Sequence, residues 1–175
     1  MMPPKTTTLT AFLGLISLAQ TPEVTPASLP HSSFVDDILT THNQYRTEVN
    51  VPSLTWSDTL AEQAQEWADH LAAIGGHTLQ HSQVADQGEN LWMGTSGHFS
   101  YSDMVNRWGA EQQYFTAGAF PAVSSTGSWF DVGHYTQIIW RDTAQVGCGF
   151  ASAGGNDILV CRYDPPGNYM GRSVY

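Results

Sequence analysis

Residues 133–140 read GHYTQIIW, a histidine and a glutamine set against Tyr135, Ile138, Ile139 and Trp140. Eight residues are too few for periodicity to separate helix from strand. An imidazole at the edge of so apolar a run must be satisfied by hydrogen bonds or by a ligand, so the meaning of His134 depends on the other polar groups the fold brings to it. The surrounding sequence supplies candidates.

Directly downstream, QVGCGFAS and DILVCRY are β-rich runs separated by AGGN. A two-residue turn at Gly154 and Gly155 makes a hairpin, in which facing residue numbers sum to 309; Cys148 and Cys161 meet that condition. The chain has two cysteines, and cross-strand neighbours are close enough to bond. The expected disulfide removes both as nucleophiles or metal ligands.

Upstream, YSDMVNRWGAEQQYF (101–115) predicts a helix in which Ser100 and Asp103 form a capping pair. Met104, Trp108, Glu111 and Phe115 recur at spacings of four, three and four, which puts Glu111 on the apolar stripe. A carboxylate there is costly unless it meets a cation, a metal or donors. HSQVADQGENLWMG (81–94) reads as a loop carrying His81 and Glu89, and residues 116–131 as a Gly/Ser/Pro-rich loop. FVDDILTTHNQYRTEV predicts a first helix, with Phe34, Ile38, His42, Tyr45 and Val49 on one face and His42 packed in the core. SDTLAEQAQEWADHLAAI predicts a second, capped by Ser57 or Asp58 and ended by Gly75-Gly76, with Leu60, Ala64, Trp67, Leu71 and Ile74 as its buried stripe. Helices followed by a hairpin indicate an α+β fold or helices layered around a small sheet.

At the N-terminus, Lys5 precedes an apolar run from Leu9 to Ala19, with small residues Ser17 and Ala19 before a cut at Gln20. Residues 1–19 therefore read as a secretory signal peptide; eleven apolar residues are short for a bilayer span. Residues 20–33, with three prolines, read as a flexible linker, and 34–175 as one domain. Without Lys5, the only lysine, five arginines face sixteen carboxylates, a net charge of −11. Such a surface repels nucleic acid and anionic lipid, which excludes a nucleic-acid role and leaves neutral lipids and small molecules open.

His81, Glu89, Glu111 and His134 share one chemistry. Two imidazoles and two carboxylates suit a divalent transition metal, zinc above all, but spacings of 8, 22 and 23 match no compact ligand signature. The sequence resembles the CAP superfamily, named for cysteine-rich secretory proteins, antigen 5 and pathogenesis-related proteins of group 1. GHYTQIIW and YDPPGNY match its two signatures, HSQVADQGENLW its His and Gly-Glu-Asn loop, and RWGAEQQYF its third helix. HNQYR and LTWSDTLAEQAQEWA agree in the same order. Many eukaryotic members carry three disulfides, whereas two cysteines allow one.

The resemblance implies a three-layer α-β-α sandwich with a small central antiparallel sheet and a large cleft. It implies that His81 and His134 bind a divalent metal, often zinc, with Glu89 and Glu111 nearby and Asn90 and Gln137 as further cleft residues. It implies a secreted binding or interaction module for a lipid, a peptide or a cell-surface component. The alternative is a zinc-dependent hydrolase with Glu89 or Glu111 as general base. Two His ligands are fewer than catalytic zinc usually has, and neither G-x-S-x-G nor H-E-x-x-H occurs.

Overall fold

The computed structural model describes Met1 and residues 30–175, with side chains from Ser33 onward. Residues 2–19 of the expected signal peptide and 20–29 of the expected linker lie outside the described residues, while residues 30–33, read as linker, are the first turn of a helix. The described residues hold four α-helices and four strands: α1 (Pro30–Glu48), β1 (Thr55–Trp56), α2 (Asp58–Ala73), β2 (Gly88–Thr95), α3 (Tyr101–Gly109), α4 (Gly133–Ile138), β3 (Gln145–Ala153) and β4 (Asn156–Asp164). Among the described residues no helix is long and apolar enough to cross a membrane.

The sheet order is β1-β3-β4-β2. β3 and β4 form the expected hairpin, with Cys148 opposite Cys161 and a disulfide joining them. β2 pairs antiparallel with β4. The two-residue β1 pairs parallel with β3, so the sheet is mixed rather than wholly antiparallel; the long connection through α2, β2, α3 and α4 allows a parallel return. β2 corrects the loop reading of residues 88–94. Its sequence, GENLWMGT, hides the strand because apolar and polar residues do not alternate along it.

α2 covers one face of the sheet. Ala64, Ala68 and Leu71 pack on Leu91, Ile158 and Val160. The stripe thus runs through Ala68, with Trp67 half-buried and Ile74 exposed at the helix end. Ser57 is the cap, its hydroxyl accepting from Leu60 N at 3.3 Å. Two glycines of β3 let the helix approach: an ideal Cβ at Gly147 would stand 2.3 Å from Ala61 N, and one at Gly149 2.3 Å from Gln65 Cα.

α1, α3 and α4 cover the other face, where Ile38, Met104, Trp108, Tyr135 and Ile138 pack against Val146, Leu159 and Tyr163. α3 starts in the expected capping box, Ser100 Oγ accepting from Asp103 N at 3.1 Å and Asp103 Oδ2 from Ser100 N at 3.0 Å. Burial of α1 includes Arg46, wholly enclosed. Its guanidinium donates to the carbonyls of Pro52 (2.6 Å), Ile138 (2.8 Å), Trp140 (2.8 Å) and Thr143 (2.9 Å). Burial pulls its pKa down to about 10, so it stays charged at neutral pH and offsets its desolvation with oriented main-chain dipoles.

Candidate functional site

GHYTQI forms the short helix α4, which places His134 in its first turn. Glu111 reaches this turn from the 3-10 segment Ala110–Tyr114 that continues α3. One carboxylate oxygen accepts from His134 Nδ1 at 2.6 Å; the other accepts from His134 N at 2.9 Å and Tyr135 N at 3.1 Å. Glu111 is therefore stabilised by donors: it caps a helix start whose N–H groups have no intrahelical partner. Trp108 stacks near-parallel to the imidazole of His134, ring centroids 6.1 Å apart.

A chain of buried hydrogen bonds supports His134 from beneath. His42 Nδ1 donates to Ile38 O at 2.8 Å, so in the neutral ring Nε2 accepts from Tyr163 OH at 2.9 Å. Asn90 Nδ2 donates to Tyr163 OH and to His134 O, each at 3.1 Å. Burial holds the His42 pKa near 4, against an ordinary 6.5, and raises that of Tyr163. His42 thus belongs to the core, as expected from its helix face.

The second pair is built differently. Glu89 is the second residue of β2, and His81 precedes it in the loop. Glu89 Oε1 accepts from His81 Nδ1 at 2.7 Å and Ser82 N at 3.0 Å; Oε2 accepts from Ser82 Oγ at 2.6 Å. Burial alone would raise the Glu89 pKa, but the bonds from His81 and Ser82 outweigh it and leave the net value lowered. Across the strands Arg162 approaches Glu89 at 3.7 Å, and among the described residues its buried Nε has no hydrogen-bond partner. The His81 side chain is 63% exposed, that of His134 35%.

The four residues therefore appear as two His–carboxylate pairs. Strand alternation sends Asn90 towards α4 and Glu89 to the opposite face of β2. Among the described residues no three His, Cys, Asp or Glu side chains group as a metal site, and the cavity of about 910 Å³ beside β3 is lined by none of the four. The donor chemistry still fits a metal: each Nδ1 is held by a carboxylate, and among the described residues neither Nε2 has a protein partner. This is how metal-binding histidines are oriented by a second partner.

Residues 39–163 fit the family model described as CAP, the cysteine-rich secretory protein family. The chain belongs to the CAP family. It is 39% identical over 141 residues to pathogenesis-related protein 1A of Nicotiana tabacum, covering 79% of both chains. It is 34% identical to cysteine-rich secretory protein 2 of Cavia porcellus, covering 84% of this chain and 62% of that one. The solved structure described as NaASP2 with Zn2+ shares the fold, with a TM-score of 0.69 at 20% identity, covering 89% of this chain and 90% of the other.

The two CAP signatures clasp each other. Gly167 N donates to Gln137 Oε1 at 2.9 Å, Asn168 Nδ2 to Gly133 O at 2.9 Å, and Thr136 Oγ1 to Asn168 Oδ1 at 2.7 Å. Gln137 and Asn90 are both buried and engaged with the scaffold around α4. Ser82, Arg162 and Asn168 were not singled out from the sequence. The CAP resemblance alone could have drawn attention to Asn168, which lies inside YDPPGNY.

Proposed function

We propose that this CAP protein is a secreted binding module in which His81 and His134 hold a divalent metal, zinc, beside a lipid, peptide or cell-surface ligand. The observation that carries the reading is the shared hydrogen-bond pattern: each imidazole gives Nδ1 to a carboxylate and, among the described residues, keeps Nε2 clear of protein partners. A bound metal would supply a Lewis-acid centre for ligand oxygen or nitrogen. Glu89 and Glu111 would fix the tautomer and orientation of the two rings. The Zn2+ in the NaASP2 description and the secretory relatives add support. Each oxygen of both carboxylates already accepts a protein hydrogen bond, which favours binding over a general-base hydrolase.

Zinc titration of the wild type and of a His81→Ala, His134→Ala variant, at about pH 6 and pH 8, tests this. The expected result is about one zinc per chain in the wild type, tighter at the higher pH because the imidazoles must be neutral, and none in the variant. Equal binding by the variant, or no binding by either, overturns the reading.

A further inference from the structure

Arg162 lies on the face of the sheet that α2 covers. Residues 158, 160 and 162 of β4 share that face: Ile158 and Val160 pack under α2, and Arg162 follows them. In register it stands between Gly147 of β3 and Glu89 of β2. α2 sits so close over Gly147 that even a Cβ there would strike it, and the long side chain of Arg162 runs the other way, towards β2. There its Nη2 comes within 3.7 Å of Glu89 Oε2, the two side chains 6% and 9% exposed.

Two buried arginines are solvated in different ways. Arg46 is surrounded by main-chain carbonyls. Among the described residues Arg162 makes one hydrogen bond, from Nη1 to Gln87 Oε1 at 3.0 Å, and its Nε makes none. Gln87 is held in turn, its Nε2 donating to Gln63 Oε1 of α2 at 2.6 Å. The guanidinium is tethered at one corner, and its charge falls on the carboxylate beside it. His81 Nδ1 and Ser82 N occupy Oε1 of that carboxylate, while Arg162 stands on the Oε2 side. Glu111 differs: among the described residues no arginine comes within 4 Å of it, and two main-chain N–H groups hold it instead.

We propose that Arg162 is a positioning residue for His81, acting through Glu89. From the Oε2 side its fixed charge holds the carboxylate in place with Oε1 aimed at His81 Nδ1. The neutral imidazole then keeps its proton on Nδ1 and its lone pair on Nε2. That lone pair is the one a metal takes, so the proposal deepens the reading of His81 as a ligand and rests on it for this consequence. His134 receives the same service from the main chain of α4 and does not depend on Arg162.

The test reads the ring nitrogens of His81 and His134 by proton–nitrogen correlation NMR in the metal-free full chain, at about pH 8, where an ordinary imidazole is neutral. In the wild type both rings should carry the proton on Nδ1. Arg162→Met should move His81 towards the Nε2–H tautomer and leave His134 unchanged; Arg162→Lys, which keeps the charge, should restore the wild-type signal. Gln87→Leu, which loosens the tether and leaves the guanidinium in place, should move His81 the same way by a smaller amount. Zinc added afterwards should bind Arg162→Met about tenfold more weakly than wild type. A His81 signal unmoved in Arg162→Met overturns the proposal, as does an equal change at His134, which would mean a general loosening of the fold. Should Arg162→Met fail to fold, Gln87→Leu decides: an unmoved His81 there overturns the proposal. A wild type that binds no zinc overturns the reading of His81 as a ligand, while the ring measurement, made without metal, still decides the role of Arg162.

Discussion

Two imidazoles in this protein each hold a carboxylate through Nδ1, yet the two pairs are anchored in opposite ways. Glu111 binds main-chain N–H groups 23 and 24 residues away, so it ties the end of α3 to the start of α4. Glu89 takes its hydrogen bonds from residues 7 and 8 positions away, so they close a local loop, while Arg162 stands 3.7 Å off across the strands. The buried chain from His42 through Tyr163 and Asn90 reaches His134 alone. The same pair chemistry is therefore a part of the scaffold in one place and a more exposed local arrangement in the other. A substitution at Glu111 disturbs folding as well as the site, whereas one at His81 reads the site itself.

Acid offers the largest lever on this contrast. The folded pKa of His42 lies below its unfolded value, so the unfolded chain takes up the proton first. Its contribution is complete above pH 6.5 and drains away as pH falls to about 4; at 1.36 kcal/mol per unit the loss is on the order of 3 kcal/mol. Urea unfolding across this window should show the slope in the wild type and a flatter one in His42→Gln. An unchanged slope would remove His42 as its source. Glu89, whose pKa is lowered, gives its share above the ordinary carboxylate range and loses it only as pH falls through that lowered value.

The carboxylates sharpen the comparison directly. Glu111→Ala should cost about 2–3 kcal/mol, because it strips charge-assisted bonds from a helix start. Glu89→Ala should cost about 1–2 kcal/mol, since His81 and Ser82 can return to water. Denaturation midpoints in the reverse order would break the distinction. Tyr163→Phe comes next, at about 1–2 kcal/mol, since it leaves His42 Nε2 and one donor of Asn90 buried without partners; amide exchange in α4 should quicken with it. His81→Ala should change stability by less than ~0.5 kcal/mol, as an exposed side chain does, while lowering zinc affinity at least ~10-fold. A large stability loss there would make both pairs structural.

The hairpin was legible because its turn length determines every facing pair, Cys148 and Cys161 included. The capping box of α3 and the inward face of α1 were legible for the same local reason. α4 was not, since six helical residues span less than two turns. β2 was masked by the turn formers that precede it and by buried polar groups such as Asn90. The α2 stripe shifted from Trp67 to Ala68 because small residues are what let the helix lie against Gly147 and Gly149. Within the site, the residue types were readable but the pairing of 81 with 89 and of 111 with 134 was not, because the second pair depends on tertiary contacts. Ser82 and Arg162 left no local signal at all.

Arg46 has a consequence for the order of assembly. Its side chain emerges early in synthesis, yet the carbonyls of Ile138, Trp140 and Thr143 that solvate it in the core lie 92, 94 and 97 residues further along the chain. Until those carbonyls are in place the guanidinium has better partners in water than in the nascent core. α1 can form as a helix soon after it is made but cannot finish docking before Thr143 has been synthesised. Such distant partnerships slow folding. A ribosome-bound fragment ending before Ile138 should leave Arg46 open to solvent, and the first segment of this domain to be made should be among the last to be locked in place.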